Sequence, residues 1–408
     1  MTSRQRVVAA FEHTGPDRTP LWEKLIKSPA ADELLGRPCA ASNWDYQMER
    51  LADGDWEGLV RQQARDEVEL CELLGFDLIR LYQNGGPPGE RPQRVNETTW
   101  RTGNYHQERL GSGWIRGWVQ EEESDCRAGA CTPPSEASPS ARPERPAGYK
   151  PPPYSGGAQE AALREALQGP APSLPEFNEV NYLLIREAKA VMAEKGLDLP
   201  IFCAAYGLGV ATLPPWQLQW FVTDRDLLGE YYRRNMVGSL HQAKKLVAEG
   251  ADIIGLGGDF ASDHGPMCSP RDYAEFIAPN LREQSRALHQ LGVYTSNASD
   301  GDLWPVLDDF LVTAEVEGFE EIDFAAGMDM KTLRERYPDK TMIGNIDIRH
   351  TLTSGTKEQV RAHTHQCLKD GWGDGGHILM SGNCIHENVK VDLFLEHLAA
   401  YRDYFGLS

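Results

Sequence analysis

The sequence lacks the long apolar runs that mark membrane proteins. No stretch of the 408 residues approaches the roughly 18 consecutive apolar residues of a membrane-spanning helix. Residues 1–20 contain no apolar core ahead of a small-residue cleavage site, so a secretory signal is not indicated. We therefore expect a cytoplasmic protein without a membrane segment.

Positive charge is in short supply. The chain has 41 Lys and Arg residues against 61 Asp and Glu residues, a net charge of -20 and a pI near 5.0. Because a nucleic acid is bound through a cationic face, this balance excludes nucleic acids as expected partners.

Regular cysteine spacing is also missing. The eight cysteines show neither a zinc-finger pattern nor a Cys-x-x-Cys pair, so we expect them to be reduced and mostly to fill the core.

Residues 124–175 are poor in large aliphatic residues and rich in Pro, Ser, Gly and Ala. Such a segment buries too little apolar surface to offset the entropy lost on ordering. The pattern on either side of it belongs to one barrel. We therefore predict an insertion or long mobile loop within a single domain that spans residues 1–408.

What the sequence does contain is a repeated strand–turn–helix pattern, clearest in residues 291–327. An apolar run at 291–295 leads into a polar turn with Asp300 and Asp302, and apolar residues then recur at helical spacing from 303 to 310. Similar apolar runs at 200–205, 251–256, 341–345 and 376–380 are each followed by a helical pattern, the last of them at 390–404. We predict an α/β fold, a (β/α)₈ TIM barrel with an N-terminal helical lead-in.

In such a barrel the loops that follow the strands share one face, so their polar side chains converge. Asp259 follows a Gly-Gly pair and is a candidate general acid or base. Asp300 is a second candidate, with helix capping by Ser299 or Asp300 as the alternative. His264 is a candidate proton carrier, since histidines commonly titrate near neutral pH, and ordinary loop hydrogen bonding is the alternative.

Three further residues are candidate substrate contacts. Asp347 and Arg349 follow the predicted strand at 341–345, and Trp22 follows the N-terminal lead-in. Asp347 has an alternative role as the cap of the next helix.

Several motifs resemble the uroporphyrinogen decarboxylase superfamily, which includes cobalamin-linked methyltransferases. They are "R-x-R-V-x-A-A-x-x-H-x-x-P-D-R-x-P" from position 4, "G-D-F-x-S-x-x-G-P-x-x-S-P" from 258, "S-D-G-D-L-x-P-x-L-D-D" from 299, "A-A-G-M-D" from 325 and "I-G-N-I-D-I-R" from 343. The resemblance covers most of the chain outside the insertion and implies a barrel, but not a particular reaction.

Two activities divide that superfamily. The resemblance implies that true decarboxylases of the superfamily carry an arginine-rich "M-R-Q-A-G-R" segment, whose cations bind a substrate with many carboxylates. Residues 22–27 of this chain read W-E-K-L-I-K, with no arginine and one acid. A site for an octa-acid is electrostatically poor here, so the resemblance favours the methyltransferase branch.

That branch uses zinc at the barrel mouth, held in a pattern like "H-x-C-G", a later carboxylate and a late cysteine. In this chain Ala298 and Asp300 occupy the His and Cys positions, so the His–Cys pair is lost. Asp300, Asp323, Cys384 and His386 remain as a candidate metal set, since carboxylate, thiolate and imidazole are all zinc ligands. Cys384 is alternatively a small buried residue, and His386 a capping or solvated histidine.

The function implied by the resemblance is transfer of a methyl group from a small methylated substrate, such as a methoxylated aromatic compound, to a corrinoid carried by a partner corrinoid protein. Zinc is an optional cofactor of this O-demethylation. A carboxylate cluster, with or without a metal, can assist the leaving oxygen of a methyl ether. The alternatives are a cofactor-free decarboxylase and a non-catalytic barrel that binds a tetrapyrrole or a partner protein.

Overall fold

Parallel strands form the centre of the structure, a computed structural model that describes residues 1–110, 115–119 and 156–407. The strands are β1 (Ile79–Arg80), β2 (Gln93–Arg94), β3 (Thr99–Thr102), β4 (Tyr105–Arg109), β5 (Ile115–Val119), β6 (Ile201–Ala204), β7 (Ile253–Gly257), β8 (Ala261–Ser262), β9 (Gly265–Pro266), β10 (Tyr294–Ala298), β11 (Gly318–Glu320), β12 (Thr341–Ile343) and β13 (His377–Ile378). Seven of them pair in the order β1-β6-β7-β10-β11-β12-β13, all parallel.

Helical segments connect successive strands of the parallel sheet, as parallel pairing requires. Between β10 and β11 these are a 3₁₀ turn (Trp304–Val306) and a π-helical turn (Asp309–Thr313). The α-helices are α1 (Ser3–Phe11), α2 (Ala30–Leu35), α3 (Trp44–Ala52), α4 (Trp56–Leu74), α5 (Gly157–Gln168), α6 (Leu183–Lys195), α7 (Pro215–Leu218), α8 (Trp220–Thr223), α9 (Arg225–Glu249), α10 (Pro270–Asp272), α11 (Ala278–His289), α12 (Met330–Arg336), α13 (Lys357–Asp370) and α14 (Val391–Phe405). The predicted α/β architecture and helical lead-in are confirmed.

The two edges of the parallel sheet meet on one N-terminal segment. The N–H of Trp22 donates to the carbonyl of Leu379 beyond β13, at 3.0 Å, and the N–H of Asp77 before β1 donates to the carbonyl of Leu21, at 2.8 Å. The sheet is therefore curled. Residues 20–22 make only an isolated bridge here, so the structure shows seven parallel strands and does not confirm the eighth strand of the predicted barrel.

The inside of the curled sheet is filled by a compact apolar cluster. Trp22 and Phe202 pack with their ring centroids 4.9 Å apart. Side chains at four strands or strand ends (β1, β7, β12 and β13) surround them: Leu78, Ile253, Ile343, Ile378 and Met380. The layer above is polar. Gly255 leaves room for it, since a Cβ there would lie 2.7 Å from an oxygen of Glu320 and 2.6 Å from the ring of Phe202.

A buried carboxylate anchors the lead-in helix below this cluster. Asp77, whose side chain is 1% exposed, accepts hydrogen bonds from Arg6 at 2.6 Å, from Arg18 at 2.7 and 3.0 Å and from the N–H of Leu21 at 3.0 Å. Two guanidinium groups thus compensate one buried charge and fix the entry of the chain into the sheet.

Two smaller elements lie outside the parallel sheet. Strands β2 to β5 form a separate antiparallel sheet. Residues 124–155 of the predicted insertion lie outside the described residues. Within its remainder α5 is a helix rather than a loop, because Ala, Glu, Leu and Arg favour helix, and Arg164 joins it to Asp224 at 2.9 and 3.0 Å. The single-domain assignment stays a prediction.

Within the described ranges no helix has both the length and the apolar character needed to cross a membrane.

Replacing Asp77 by Ala tests the anchor. It removes the carboxylate that Arg6 and Arg18 share, while Arg6 keeps its second carboxylate, Asp17. We expect the free energy of unfolding to fall by about 3 kcal/mol, the lower end for breaking a buried ion pair. Asp198→Ala is the matched control, because Asp198 forms an exposed pair with Arg4 and should contribute less than about 1 kcal/mol. Urea denaturation measures both, and equal effects would contradict the anchoring role.

Candidate functional site

Two adjoining chambers open at the carboxyl ends of the parallel strands. The larger has a volume of about 750 Å³ and the smaller about 510 Å³. They share four lining residues, Lys27, Asp259, Asn383 and Cys384. The chambers therefore meet at one junction, where groups in one are within reach of molecules in the other.

The smaller chamber brings together most of the residues predicted from the sequence. These are Asp259, Asp300, Asp323, Asp347, Arg349, Cys384 and His386. They come from the loops that follow five strands: β7, β10, β11, β12 and β13. The expected convergence of strand-end loops thus occurs, although convergence alone assigns no chemical role.

Asp300 is a carboxyl group held in a partly buried, acidic environment. Burial first, and then the nearby carboxylates of Asp259, Glu321 and Asp323, raise the pKa of Asp300 to about 6, while Arg349 opposes the shift. The amide of Asn383 donates to it at 3.3 Å. Asp302 accepts the N–H of Trp304 at 3.1 Å, but no side chain caps the helical turn Trp304–Val306 that follows, so the capping alternative for Ser299 or Asp300 is wrong.

Asp259 lies at the junction of the chambers. Burial and the nearby Glu321 carboxylate raise its pKa, and Lys24 opposes this shift. Within the described part of the chain, neither Asp259 nor Asp300 forms an ion pair. The preceding Gly258 also serves packing, since a Cβ there would lie 3.0 Å from the backbone of Gly209.

Arg349 ties two loops together at the rim of the smaller chamber. Its guanidinium group binds both oxygens of Asp263, at 2.5 and 2.7 Å, and also bonds to Asp323. The other oxygen of Asp323 accepts the N–H groups of Ala325 and Ala326 at 3.0 and 3.3 Å. Arg349 lines the chamber as expected, but its charge is compensated by protein carboxylates.

Asp347 also lines the smaller chamber, but its oxygens are engaged. It caps the helical turn Ile348–Leu352, accepting the N–H of His350 at 3.2 Å and contacting the His350 ring at 3.0 Å. The capping alternative is therefore confirmed for Asp347.

The comparisons with known proteins agree with this architecture. A family model described as uroporphyrinogen decarboxylase (URO-D) matches residues 201–404, half of the chain. The chain belongs to the uroporphyrinogen decarboxylase family. A search of curated protein sequences gave no match.

Among solved structures, a methyltransferase from Methanosarcina mazei is similar over 99% of both chains, with a TM-score of 0.62 and 17% sequence identity. This identity supports a shared fold only. A sugar phosphate isomerase/epimerase from Parabacteroides distasonis (12% identity, 54% of this chain and 75% of the other) and a D-psicose 3-epimerase from Clostridium cellulolyticum (14%, 57% and 84%) have TM-scores of only 0.31 and 0.33.

The zinc site of the methyltransferase branch does not fit this member of the URO-D family. No three His, Cys, Asp or Glu side chains in the described ranges are arranged to hold a metal ion. Asp323 is engaged by Arg349 and two backbone N–H groups, and burial raises the pKa of the Cys384 thiol, which disfavours the thiolate that zinc needs. The expected set of Asp300, Asp323, Cys384 and His386 shares a chamber without forming a preorganised metal site.

Two other expected site residues lie elsewhere. His264 is exposed on the turn between β8 and β9 and lines neither chamber, and its backbone N–H bonds to Ser262 at 3.3 Å, in line with the loop alternative. Trp22 is 0% exposed in the apolar cluster beneath the site. Alternation along the N-terminal segment places Trp22 in that cluster and Lys24 one layer higher, at the mouth.

The sequence prediction missed a buried ionic group beneath the larger chamber. Lys24, whose side chain is 4% exposed, contacts Glu320 at 2.9 Å and Glu321 at 2.8 Å, and the ring of Tyr206 lies 4.9 Å from its ammonium nitrogen. Ser296 donates to the other oxygen of Glu320 at 2.9 Å. The sequence feature that could have indicated this group is the pair of consecutive acids, Glu320 and Glu321, at the end of β11.

Glu321 reaches the mouth through an uncommon backbone conformation. Its φ is +64°, in the left-handed region that residues with a side chain rarely adopt. Such conformations persist where surrounding contacts hold them and are common at functional sites. Here the contact with Lys24 holds the carboxylate at the wall of the larger chamber.

The raised pKa of Asp300 makes a prediction about stability. The unfolded carboxyl ionises near 3.8 and the folded one near 6, so the folded state retains a proton longer and stability falls as pH rises through this window. Asp300→Asn removes this loss, and we expect it to raise the free energy of unfolding at pH 7 by on the order of 2 kcal/mol.

Denaturant melts between pH 4 and pH 8 measure this effect. Asp302→Asn is the control, because the asparagine side-chain oxygen can accept the same N–H of Trp304. A constant difference between Asp300→Asn and the wild type across this range would contradict the raised pKa.

Proposed function

We propose that this URO-D family member is a methyltransferase that moves a methyl group from a small methylated compound to a corrinoid carried by a partner protein. The observation that carries the proposal is Asp300, a carboxyl group with a pKa of about 6 and no ion-pair partner among the described residues, which lies beside the junction of two chambers. The fold shared with the structure named as a methyltransferase supports it.

The smaller chamber suits a methyl ether, including a methoxylated aromatic compound. Breaking the bond between oxygen and methyl carbon leaves an alkoxide or phenolate, a poor leaving group unless it is protonated as the bond breaks. Asp300 in its acid form can deliver that proton, so the products are the free alcohol and ionised Asp300. Asp259, close enough to influence the pKa of Asp300, helps it to recover a proton from solvent.

The larger chamber suits the acceptor. Methyl transfer requires the nucleophile to approach the methyl carbon from the side opposite the leaving oxygen, so donor and acceptor need adjoining spaces. Tyr206 and Tyr231, together with Gly207, Gly209 and Gly238, give this chamber an aromatic and sterically open wall. That wall fits the edge of a flat macrocycle. A bound corrinoid supplies the nucleophile, and the chain itself supplies position and proton.

A second candidate is decarboxylation of an acidic substrate, which the cationic residues of the larger chamber favour. These residues are Lys24, Lys27, Arg80 and Arg234. Two of them are already compensated within the protein, however. Lys24 pairs with Glu320 and Glu321, and Arg234 binds Glu230 and three backbone carbonyls.

Activity assays separate these functions. We expect purified protein, a reduced corrinoid protein and a methoxylated aromatic donor to yield methylated corrinoid and the free phenol. Asp300→Asn should lower kcat/KM by about 10²–10⁴-fold, the usual contribution of a general acid, and by much less for donors whose phenol is strongly acidic. His264→Gln, outside both chambers, is the control and should retain activity.

In the same assay, kcat/KM of the wild type should fall about tenfold per pH unit above about pH 6, as Asp300 loses its proton. Full activity of Asp300→Asn on unactivated donors would overturn the proposal. Release of carbon dioxide without methyl transfer would favour the decarboxylase, and binding of a tetrapyrrole without turnover would favour a non-catalytic barrel.

The chamber assignment has its own test. A Cβ at Gly238 of α9 would meet no atom within 4 Å, so Gly238→Phe places a ring in the larger chamber. We expect it to raise KM for the corrinoid acceptor by on the order of tenfold or more without changing KM for the donor. Gly238→Ala is the control and should stabilise α9 by about 0.5–1 kcal/mol. A rise in the donor KM alone would reverse the assignment.

A further inference from the structure

The loop that carries Asn383 and Cys384 into the site is held by a carboxyl group beneath it. Glu23 is 4% exposed and lies on the N-terminal segment that bridges the edges of the sheet. One of its oxygens accepts the N–H of Ser381 at 3.1 Å, and the other lies 2.5 Å from the Ser381 hydroxyl oxygen. No ion pair to Glu23 occurs within the described ranges.

The Ser381 hydroxyl faces two oxygens at once. Besides the Glu23 carboxyl oxygen, the backbone carbonyl oxygen of Asn383 lies within hydrogen-bonding distance of it. A hydroxyl group has one hydrogen to donate. If Glu23 were ionised, the Ser381 hydroxyl would donate to one of these acceptors, and its oxygen lone pairs would face the other. Ser381 is fully buried, and a missing hydrogen bond is costly in a buried site.

One additional proton satisfies all three groups. We propose that Glu23 is held as a neutral carboxylic acid that donates to Ser381, which in turn donates to the carbonyl of Asn383, and that Glu23 is thereby a positioning residue for the site loop. The first oxygen of Glu23 still accepts the Ser381 N–H. Every polar atom of this relay then has a partner of the correct kind.

The relay extends to the group that carries the proposed chemistry. The side chain of Asn383 accepts the N–H of Cys384 at 2.7 Å and donates to Asp300 at 3.3 Å. The backbone position of Asn383 therefore sets its amide against the Asp300 carboxyl. Glu23 lines neither chamber, so it acts on Asp300 only through this loop.

The electrostatic surroundings are consistent with a neutral Glu23. Burial raises the pKa of Glu23 to about 8, and the two hydrogen bonds from Ser381 only partly oppose this. The charged and titratable groups on neighbouring elements include Lys24 on its own segment, Arg80 at the end of β1 and Cys384 on the loop, which line the adjoining larger chamber. Lys24 is turned toward Glu320 and Glu321, and none of the three groups contributes to the shift.

Glu23→Gln is the decisive variant, because a glutamine amide can donate to Ser381 and accept its N–H as the neutral acid does. Infrared difference spectra of the wild type minus this variant at neutral pH should show the carbonyl stretch of a protonated carboxylic acid. The folding constant of the wild type relative to the variant should fall by up to about tenfold per pH unit between pH 4.5 and 8, since the unfolded chain loses its proton first. A carboxylate band, with no such pH dependence, would overturn the proposal.

The effect on Asp300 rests on the proposed function and is tested separately. Glu23→Gln should keep kcat/KM and its pH profile within about twofold of the wild type, whereas Ser381→Ala, which breaks the relay, should lower kcat/KM and displace the apparent pKa near 6 with little change in donor KM. Equal loss in both variants would overturn the positioning role. The infrared and stability measurements need no turnover, so they remain decisive for the neutral Glu23 even if no methyl transfer is found.

Discussion

Backbone hydrogen bonding between one N-terminal segment and both edges of the sheet is the constraint on which this structure depends. The segment reaches Leu379 on one side and Asp77 on the other, and it continues along the last loop through the bonds between Leu25, Lys27 and Ile385. Because Asp77 fixes where the segment enters, its later residues have little freedom. The same stretch that completes the curled sheet therefore delivers Glu23, Lys24 and Lys27 to the site.

The charges of the site follow from this placement. Lys24 lies in a layer that also holds Glu320 and Glu321, and its positive charge is compensated by these two carboxylates. Asp259 and Asp300, farther out, are left with like-charged neighbours in a partly buried position, and both have raised pKa values. The raised pKa values of these two carboxyl groups thus result from the order of the side-chain layers inside the sheet. No single partner residue causes them.

Sequence patterns predicted the parts of the molecule that depend on local periodicity. Apolar runs located β6, β7, β12 and β13, and the rule that parallel strands end on one face placed Asp259, Asp300 and Asp323 around one opening. The pattern did not predict the roles of Lys24 and Glu23, because nothing local in residues 21–27 indicates that these two charged side chains are buried. Their positions depend on contacts with residues more than 290 positions away. Trp22 and Asp347 show the same difficulty. The burial of Trp22 depends on neighbours distant in sequence, and the capping role of Asp347 depends on the geometry of the turn.

The link from Arg349 to Asp263 and Asp323 has a consequence for what enters the smaller chamber. A guanidinium group that is already shared between two carboxylates has little attraction left for a third, and the remaining wall carries several acids. Under the proposed function, compounds with a carboxylate close to the methoxy group would meet repulsion there, whereas uncharged ethers would not. In the proposed reaction Asp300 is ionised once it has given up its proton, so the same acidic wall also disfavours ionisation of the phenol, which leaves in its neutral form.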